Sequence, residues 1–202
     1  MNNPARELVL KEQFRNMFYS RTFKIYLLFL AVFIFLSSCS GSSDEMMPEN
    51  NPEPIQVITA QGLFIPVYDF AGFRPMLDYY NDTLYIFNFW ATWCKPCVQE
   101  LPYFNMADSA YAGEPVRIIL VSLDFSENVE STLIPFMIAN QIQAEVIVLD
   151  DMDGNSWIPG IDPEWEGAIP ATLFLKKRDR EFEVRSYTYN ELTNVIDNLL
   201  NP

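Results

Sequence analysis

The sequence predicts an α/β domain in which helices flank one central mixed β-sheet. Three largely apolar runs, Leu84–Phe89, Arg117–Leu123 and Val146–Leu149, have the composition of strands that are covered on both faces. Segments with helical signals separate these runs, and a hairpin and a last helix follow them, an order typical of layered α/β folds. A chain of 202 residues is ordinarily one domain with extensions, so we expect a single folded domain.

The elements of the first half follow from local patterns. Residues 56–69 predict one or two short strands, and Gly72 precedes a short predicted helix over Phe73–Tyr80. A longer helix is predicted over Lys95–Tyr111, and Gly113 marks its end because glycine commonly follows the last turn.

The segment between the second and third strands predicts a helix that begins at Ser126 and reaches about Gln141. Serine is a favoured N-cap, and Pro135 is expected to kink this helix because proline removes an internal hydrogen bond. Residues 150–168 are rich in glycine, proline and acidic side chains, which predicts an irregular loop.

The C-terminal part predicts a hairpin and a helix. Ala171–Leu175 and Phe182–Tyr189 flank a polar turn and read as paired strands. Asn190 is the predicted cap of a last helix. One face of this helix carries apolar residues at helical spacing, namely Leu192, Val195, Ile196 and Leu199.

The N-terminal residues combine a short apolar run with a cysteine that follows two serines. The apolar run Ile25–Leu36 is shorter than the about 20 residues that a membrane-spanning helix needs. Leu-Ser-Ser-Cys, ending at Cys39, resembles a lipobox, so residues 1–38 are the predicted signal peptide and Cys39 the predicted lipidation site. An uncleaved membrane anchor is the alternative, and Met17 is a possible true start.

Residues 39–55 are rich in serine, proline, asparagine and acid, which predicts a flexible tether before a folded domain at 56–202. The net charge of −14 argues against a nucleic-acid partner. The chain has no histidine, which excludes catalytic pairs and metal sites that depend on this residue.

The pair Cys94 and Cys97 offers four interpretations. A structural zinc site needs four ligands, and a c-type haem tether needs histidine where Val98 stands, so both are excluded. A structural disulfide remains possible, but a loop this short constrains the unfolded chain little. We therefore favour a redox-active pair, and we expect neither a metal nor another cofactor.

The predicted position of the pair supports this interpretation. A strand that ends near Phe89 places Cys94 in the first turn of the next helix, where unpaired N–H groups favour a thiolate. Cys94 is therefore the predicted nucleophile, and Cys97, one turn later, is the predicted resolving cysteine. Pro96 has no N–H to lose at a helix start and stiffens the loop.

The stretch NFWATWCKPCVQELP, residues 88–102, resembles the active-site segment of thioredoxin-fold proteins. It is most similar to the TlpA-like and ResA-like extracytoplasmic thiol–disulfide oxidoreductases, over about residues 60–200. Pro102 corresponds to the proline that kinks the active-site helix. Ala168-Ile169-Pro170-Ala171-Thr172 resembles the cis-proline segment, which implies that Ile169 and Pro170 face the cysteines and bind substrate.

The resemblance also assigns polar residues. Asn88 stands where cytoplasmic thioredoxins carry a buried aspartate, as is usual in TlpA-like proteins. Glu100 corresponds to a glutamate near the buried cysteine of ResA-like proteins, which implies a proton relay; a solvated helix carboxylate is the alternative. Trp93 and Pro96 are the further substrate-binding residues that the resemblance implies.

The expected function is the reduction of protein disulfides in the bacterial cell envelope. The expected partners are protein disulfide substrates and a membrane electron donor, with a monomeric domain held by its lipid anchor and facing the periplasm or the cell surface. A thiol peroxidase is the second enzymatic hypothesis, although Cys97 so close to Cys94 argues against it. The non-enzymatic alternative is a binding module that uses the groove near Pro170.

Overall fold

The computed structural model describes residues 51–79 and 81–201. Their strands form one seven-stranded sheet in the order β1-β2-β5-β4-β3-β6-β7. The strands are β1 Gln56–Ala60, β2 Leu63–Tyr68, β3 Leu84–Trp90, β4 Val116–Ser122, β5 Glu145–Leu149, β6 Ala171–Lys176 and β7 Asp179–Glu183. The α-helices of this part of the chain are α1 Phe70–Phe73, α2 Lys95–Ala110, α3 Ile134–Ala139, α4 Gly154–Ile161 and α5 Tyr189–Leu200.

The sheet is mixed, which confirms the predicted fold class. β3 pairs in parallel with β4 and antiparallel with β6, while β5 pairs in parallel with both β4 and β2. The outer pairs β1–β2 and β6–β7 are antiparallel. This pairing places the carboxyl end of β3 beside the carboxyl end of β4 and the start of β6, because Trp90 pairs with Ser122 and Phe89 with Ala171.

Each face of the sheet carries its own hydrophobic core. One core includes residues of α2, α3 and α5, and the other includes residues of α1 and α4. All seven residues of β3 are buried, because successive side chains enter opposite cores. Coverage on both faces explains why this strand is apolar or aromatic at six of its seven positions.

The short helix before β3 begins earlier than the sequence predicts. α1 starts at Phe70, and Asp69 caps it by accepting a hydrogen bond from the Gly72 amide at 2.8 Å. A 3₁₀ segment, Arg74–Asp78, continues it. The prediction of a helix over Phe73–Tyr80 missed the cap, because Asp69 follows directly on an apolar strand.

The prediction of one kinked helix from Ser126 to Gln141 is wrong in its first half. Ser126 caps nothing; its amide donates to the Asp150 carboxylate at 2.9 Å. A 3₁₀ turn and a π-helical turn precede α3, and Pro135 lies in the first turn of α3. Since proline cannot donate to the preceding turn, the widened turn before it replaces the expected kink.

Residues 150–168 contain a helix that the sequence interpretation missed. α4 spans Gly154–Ile161 and buries Trp157 and Ile161, four residues apart on one face. Glycine and proline within this segment concealed the spacing. Trp157 and Trp165 both lie in the core in edge-to-face contact, with their ring centroids 5.6 Å apart.

The C-terminal hairpin is shorter than predicted. β7 ends at Glu183, well before the predicted end at Tyr189, and Tyr187 turns into the core against Phe104 and Phe174. The cap of α5 is Thr188 and not Asn190, since Thr188 and Glu191 form a reciprocal capping box.

Thr188→Ala is expected to lower the free energy of unfolding by about 1 kcal/mol, because it removes the cap of α5. Urea denaturation measures this loss. Asn190→Ala is the matched control two residues later, and it should leave the midpoint unchanged. An equal loss in both variants would show that the capping box contributes nothing specific.

Part of the N-terminal prediction lies outside the described residues, including residues 1–38, Cys39 and most of the tether. The described end of the predicted tether contacts the domain, because the Ile55 amide donates a hydrogen bond to the Val67 carbonyl at 2.8 Å. Within residues 51–79 and 81–201, no helix combines the length and the apolarity that crossing a bilayer requires.

Candidate active site

Cys94 and Cys97 form a disulfide at the start of α2, with their Cα atoms 5.3 Å apart. Cys94 is the N-cap residue of α2, and its Sγ accepts a hydrogen bond from the Cys97 amide at 3.3 Å. The loop from β3 is tight, because the Cys94 amide donates to the Ala91 carbonyl at 3.1 Å. The helix therefore directs an otherwise unpaired N–H group at the Cys94 sulfur, which stabilises negative charge there.

The two sulfur-bearing side chains differ in access. Cys94 is 6% exposed and Cys97 is fully buried. Trp93 and Pro96 flank Cys94 and are exposed. Cys94 is therefore the more accessible residue of the pair.

The Ile169–Pro170 peptide bond is cis and faces the disulfide. The Cys94 Sγ lies 3.8 Å from the Ile169 carbonyl oxygen, although 75 residues separate them in the sequence. The antiparallel pairing of β6 with β3 brings this segment to the carboxyl end of β3. Trp165 secures it, since its indole N–H donates to the Ala168 carbonyl at 2.8 Å.

Glu100 is buried one turn after Cys97, and both of its carboxylate oxygens accept hydrogen bonds. Asn88 Nδ2 donates to one oxygen at 2.9 Å, and the Tyr187 amide donates to the other at 2.8 Å. Burial raises the pKa of Glu100 to about 7, although these two hydrogen bonds oppose the rise. A carboxyl group with this pKa exchanges protons near neutral pH.

The Asn88 amide is poised to respond to the charge of Glu100. Its Nδ2 also donates to Thr172 Oγ1 at 3.1 Å, whereas its Oδ1 is buried without a hydrogen-bond partner. If Glu100 takes up a proton, rotation of the amide would let Oδ1 accept from the new O–H group. The polar group beneath the disulfide can therefore accommodate both protonation states.

Solvent approaches Glu100 through a surface cleft of about 460 Å³. The cleft is lined by Pro96, Gln99, Glu100, Tyr103, Ser186, Tyr187 and Thr188. Pro96, which lies between the two cysteines in the sequence, is part of this lining, whereas neither cysteine is.

The family model described as "AhpC/TSA family" matches residues 74–179, which include the disulfide and the cis-proline. The chain belongs to the AhpC/TSA family. A solved structure, a thiol:disulfide interchange protein of the thioredoxin family from Chlorobium tepidum, superposes with a TM-score of 0.53 at 17% identity. The match covers 75% of this chain and 97% of that one, so this AhpC/TSA chain has the thioredoxin-like fold that the sequence predicts.

Curated relatives are similar in sequence to part of this chain. Thiol-disulfide oxidoreductase ResA of Bacillus cereus is 36% identical over 84 residues, which are 41% of this chain and 43% of the relative. Sporulation thiol-disulfide oxidoreductase A of Bacillus subtilis is 32% identical over 63 residues, 31% of this chain and 38% of the relative. The chain thus spans less than half the length of these relatives.

The structure brings together the candidate site residues that the sequence indicates within the predicted domain. Five of these residues lie at or near the start of α2, namely Trp93, Cys94, Pro96, Cys97 and Glu100. Ile169 and Pro170 reach them from the start of β6, while Cys39 lies outside the described residues. Among the described residues, no group of three His, Cys, Asp or Glu side chains is arranged to hold a metal ion.

Sequence reasoning missed a second buried carboxylate beside the site, Asp124. It accepts hydrogen bonds from the Thr92 amide at 3.0 Å, from Thr92 Oγ1 at 2.6 Å and from Ser122 Oγ at 2.8 Å. Asp124 therefore fixes the loop that presents Trp93 and Cys94. An acidic residue directly after a buried strand was the signal, since β-strand ends of this sheet meet at one edge.

Proposed function

We propose that this protein is a thiol–disulfide oxidoreductase that reduces protein disulfides through Cys94 and Cys97. The observation that carries the proposal is the disulfide at the start of α2, with Cys94 Sγ 3.8 Å from the Ile169 carbonyl of the cis-proline segment. The pair thus lies next to a backbone segment that offers hydrogen-bonding groups to an extended chain. The partial relatives ResA and sporulation thiol-disulfide oxidoreductase A, both named as thiol-disulfide oxidoreductases, support the same activity.

The proposed reaction begins from the reduced pair. The Cys94 thiolate attacks one sulfur of the substrate disulfide, and the other substrate sulfur leaves as a thiolate and takes a proton. Cys97 then loses its proton and attacks Cys94 Sγ, which releases the second substrate sulfur. Two electrons pass to the substrate, and the enzyme ends as the Cys94–Cys97 disulfide.

The proposed substrate chain lies along Trp93, Pro96, Ile169 and Pro170. Trp93 and Pro96 are exposed on one side of Cys94, and the Ile169 carbonyl lies on the other. An extended segment can accept and donate main-chain hydrogen bonds there while its disulfide meets Cys94.

Glu100 is the proposed proton relay for Cys97. Its pKa of about 7 lets it take the Cys97 proton and release it through the cleft near neutral pH. Asn88 keeps the carboxyl group oriented in either state.

The proposed setting is the bacterial cell envelope, where disulfides persist. A signal peptide over residues 1–38, lipidation at Cys39 and a tether at 39–55 would hold the domain at 56–202 on a membrane as a monomer. A membrane electron donor would restore the dithiol. The resemblance of the residues before Cys39 to a lipobox and the short length of the apolar run Ile25–Leu36 support this setting.

The redox midpoint of the Cys94–Cys97 couple tests the reductive direction. Equilibration with glutathione or dithiothreitol buffers should give a value near that of thioredoxin, about −270 mV. A value near that of a strong oxidant, about −120 mV, would contradict the reductase proposal. Such a result would leave thiol–disulfide exchange intact and reverse only its direction.

A further inference from the structure

Three exposed apolar side chains follow three neighbouring strands at the active-site edge of the sheet. Trp93 follows β3, Phe125 follows β4 and Met152 follows β5, with exposed fractions of 68%, 54% and 87%. The strands β3, β4 and β5 are consecutive and parallel, so their carboxyl ends lie side by side. We call these three side chains the apolar ridge.

Hydrogen bonds tie the loops of the apolar ridge together. Thr92, beside Trp93, donates to Asp124, which precedes Phe125. The Ser126 amide donates to Asp150, two residues before Met152. The exposed side chains therefore belong to loops held next to each other and next to Cys94.

The surroundings of the apolar ridge are acidic. Residues 123–133, 150–153 and 162–170 each contain three carboxylate residues, and none of them contains lysine or arginine. These segments follow β4 and β5 and precede β6, so they border the same edge of the sheet. Glu127 and Glu166 are exposed members that can interact with a partner.

The basic residues of the β6–β7 turn lie at the other end of the sheet. Lys176, the last residue of β6, pairs with Leu84, the first residue of β3. Lys177 and Arg178 follow it in the turn. Lys95 and Arg185 are basic residues at the disulfide end, but the three acidic segments there leave that end with an excess of carboxylates.

We propose that the apolar ridge and its acidic border dock a cationic, partly apolar polypeptide segment that carries the substrate disulfide. This inference rests on the proposed function and names the class of its substrate. Negative potential raises the local concentration of a basic partner and speeds its encounter, whereas it repels an acidic one. Exposed aromatic and methionine side chains next to the reactive sulfur provide contact area once the partner has arrived.

Two synthetic peptides with the same intramolecular disulfide and the same leucines test the proposal. One carries lysines and the other carries glutamates at the flanking positions, and 2-hydroxyethyl disulfide serves as a small neutral substrate. At low ionic strength the reduced protein should reduce the lysine peptide in a single turnover with a second-order rate constant about tenfold above that for the glutamate peptide. Salt at about 0.5 M should bring the two values together.

Charge-reversal variants locate the effect. Glu127→Lys combined with Glu166→Lys should abolish the tenfold preference for the lysine peptide. Asp78→Lys combined with Glu114→Lys changes the net charge equally, but both residues precede strands at the opposite end of the sheet. This control should keep the preference for the lysine peptide.

Apolar substitutions test the ridge itself. Phe125→Ser should lower the second-order rate constant for the lysine peptide several-fold relative to that for 2-hydroxyethyl disulfide. Phe64→Ser, at an exposed phenylalanine of β2, is the matched control and should not change this ratio.

The outcomes separate the two proposals. Equal rates with both peptides, or a preference that the Asp78 and Glu114 control removes as well, would overturn the cationic-substrate proposal. Failure to reduce any of the three disulfides would instead contradict the proposed thiol–disulfide activity.

Discussion

Cys97→Ser is expected to stop turnover while trapping substrates as mixed disulfides on Cys94. Cys94 is the sulfur with partial exposure, and it keeps its place at the start of α2 in this variant. Without Cys97 the intermediate loses its intramolecular nucleophile, whose effective concentration in such a geometry is orders of magnitude above 1 M. Turnover of a protein disulfide should therefore fall by about a thousandfold or more.

Non-reducing electrophoresis and mass spectrometry after incubation with oxidised substrate measure the trapped species. Cys94→Ser should show neither turnover nor trapping, since Cys97 is fully buried. Cys39→Ser makes the same chemical change outside the pair and should leave turnover of the purified protein unchanged. Equal trapping by Cys94→Ser and Cys97→Ser would contradict the assignment of Cys94 as nucleophile.

The strands around the site were predictable because the apolar composition of each strand indicates its burial. β3 is buried on both faces, so its residues are apolar or aromatic except for Asn88. The prediction of Leu84–Phe89 therefore differs from the observed strand by one residue. The start of α2 at Lys95 was equally clear, because Pro96 favours a first turn.

Caps and short helices were less predictable, because several residues offer the same signal. Thr188 and Asn190 are both good N-caps, and only the reciprocal bond with Glu191 selects Thr188. α4 contains glycine and proline, yet the burial of Trp157 and Ile161 against the sheet stabilises it. Tertiary packing therefore decided where local preference did not.

Some contacts of the candidate site follow from local sequence spacing, whereas others depend on the tertiary fold. Cys94, Cys97 and Glu100 share one helix, so their proximity follows from spacing. The bond from the Tyr187 amide to Glu100 joins residues 87 apart in the sequence, and no local pattern announces it. The Thr92–Asp124 bonds likewise depend on the register between β3 and β4.

Glu100→Gln is expected to remove a pH dependence from the stability of the oxidised protein. The pKa of Glu100 is raised from 4.5 to about 7 in the folded state, mainly by burial. Below pH 4.5 the carboxyl is protonated in both states and burial of its charge costs nothing. As the pH rises, the unfolded chain releases its proton first, so stability falls until the folded carboxyl has also ionised near pH 7.

Urea unfolding of the oxidised protein between pH 4 and pH 9 measures this difference. Relative to Glu100→Gln, the wild type should lose about 3 kcal/mol across this range, most of it between about pH 4.5 and pH 7. Glu130→Gln removes an exposed carboxylate from another helix turn and should follow the wild type. A constant difference between wild type and Glu100→Gln at every pH would show that Glu100 keeps its ordinary pKa.

The same variant separates proton transfer from packing in the reaction. Glutamine retains the shape of the side chain, and rotation of Asn88 can supply an acceptor for its amide through the unpaired Oδ1. Packing is thus conserved, whereas the proposed proton acceptor for Cys97 is lost. The rate of mixed-disulfide resolution should fall on the order of a hundredfold at neutral pH, the low end for general acid–base catalysis.

In stopped-flow measurements the ionisation of the wild type near pH 7 should disappear from the pH profile of Glu100→Gln. If the rate fell but this ionisation persisted, another group would carry the proton from Cys97, and Glu100 would serve only to orient Asn88.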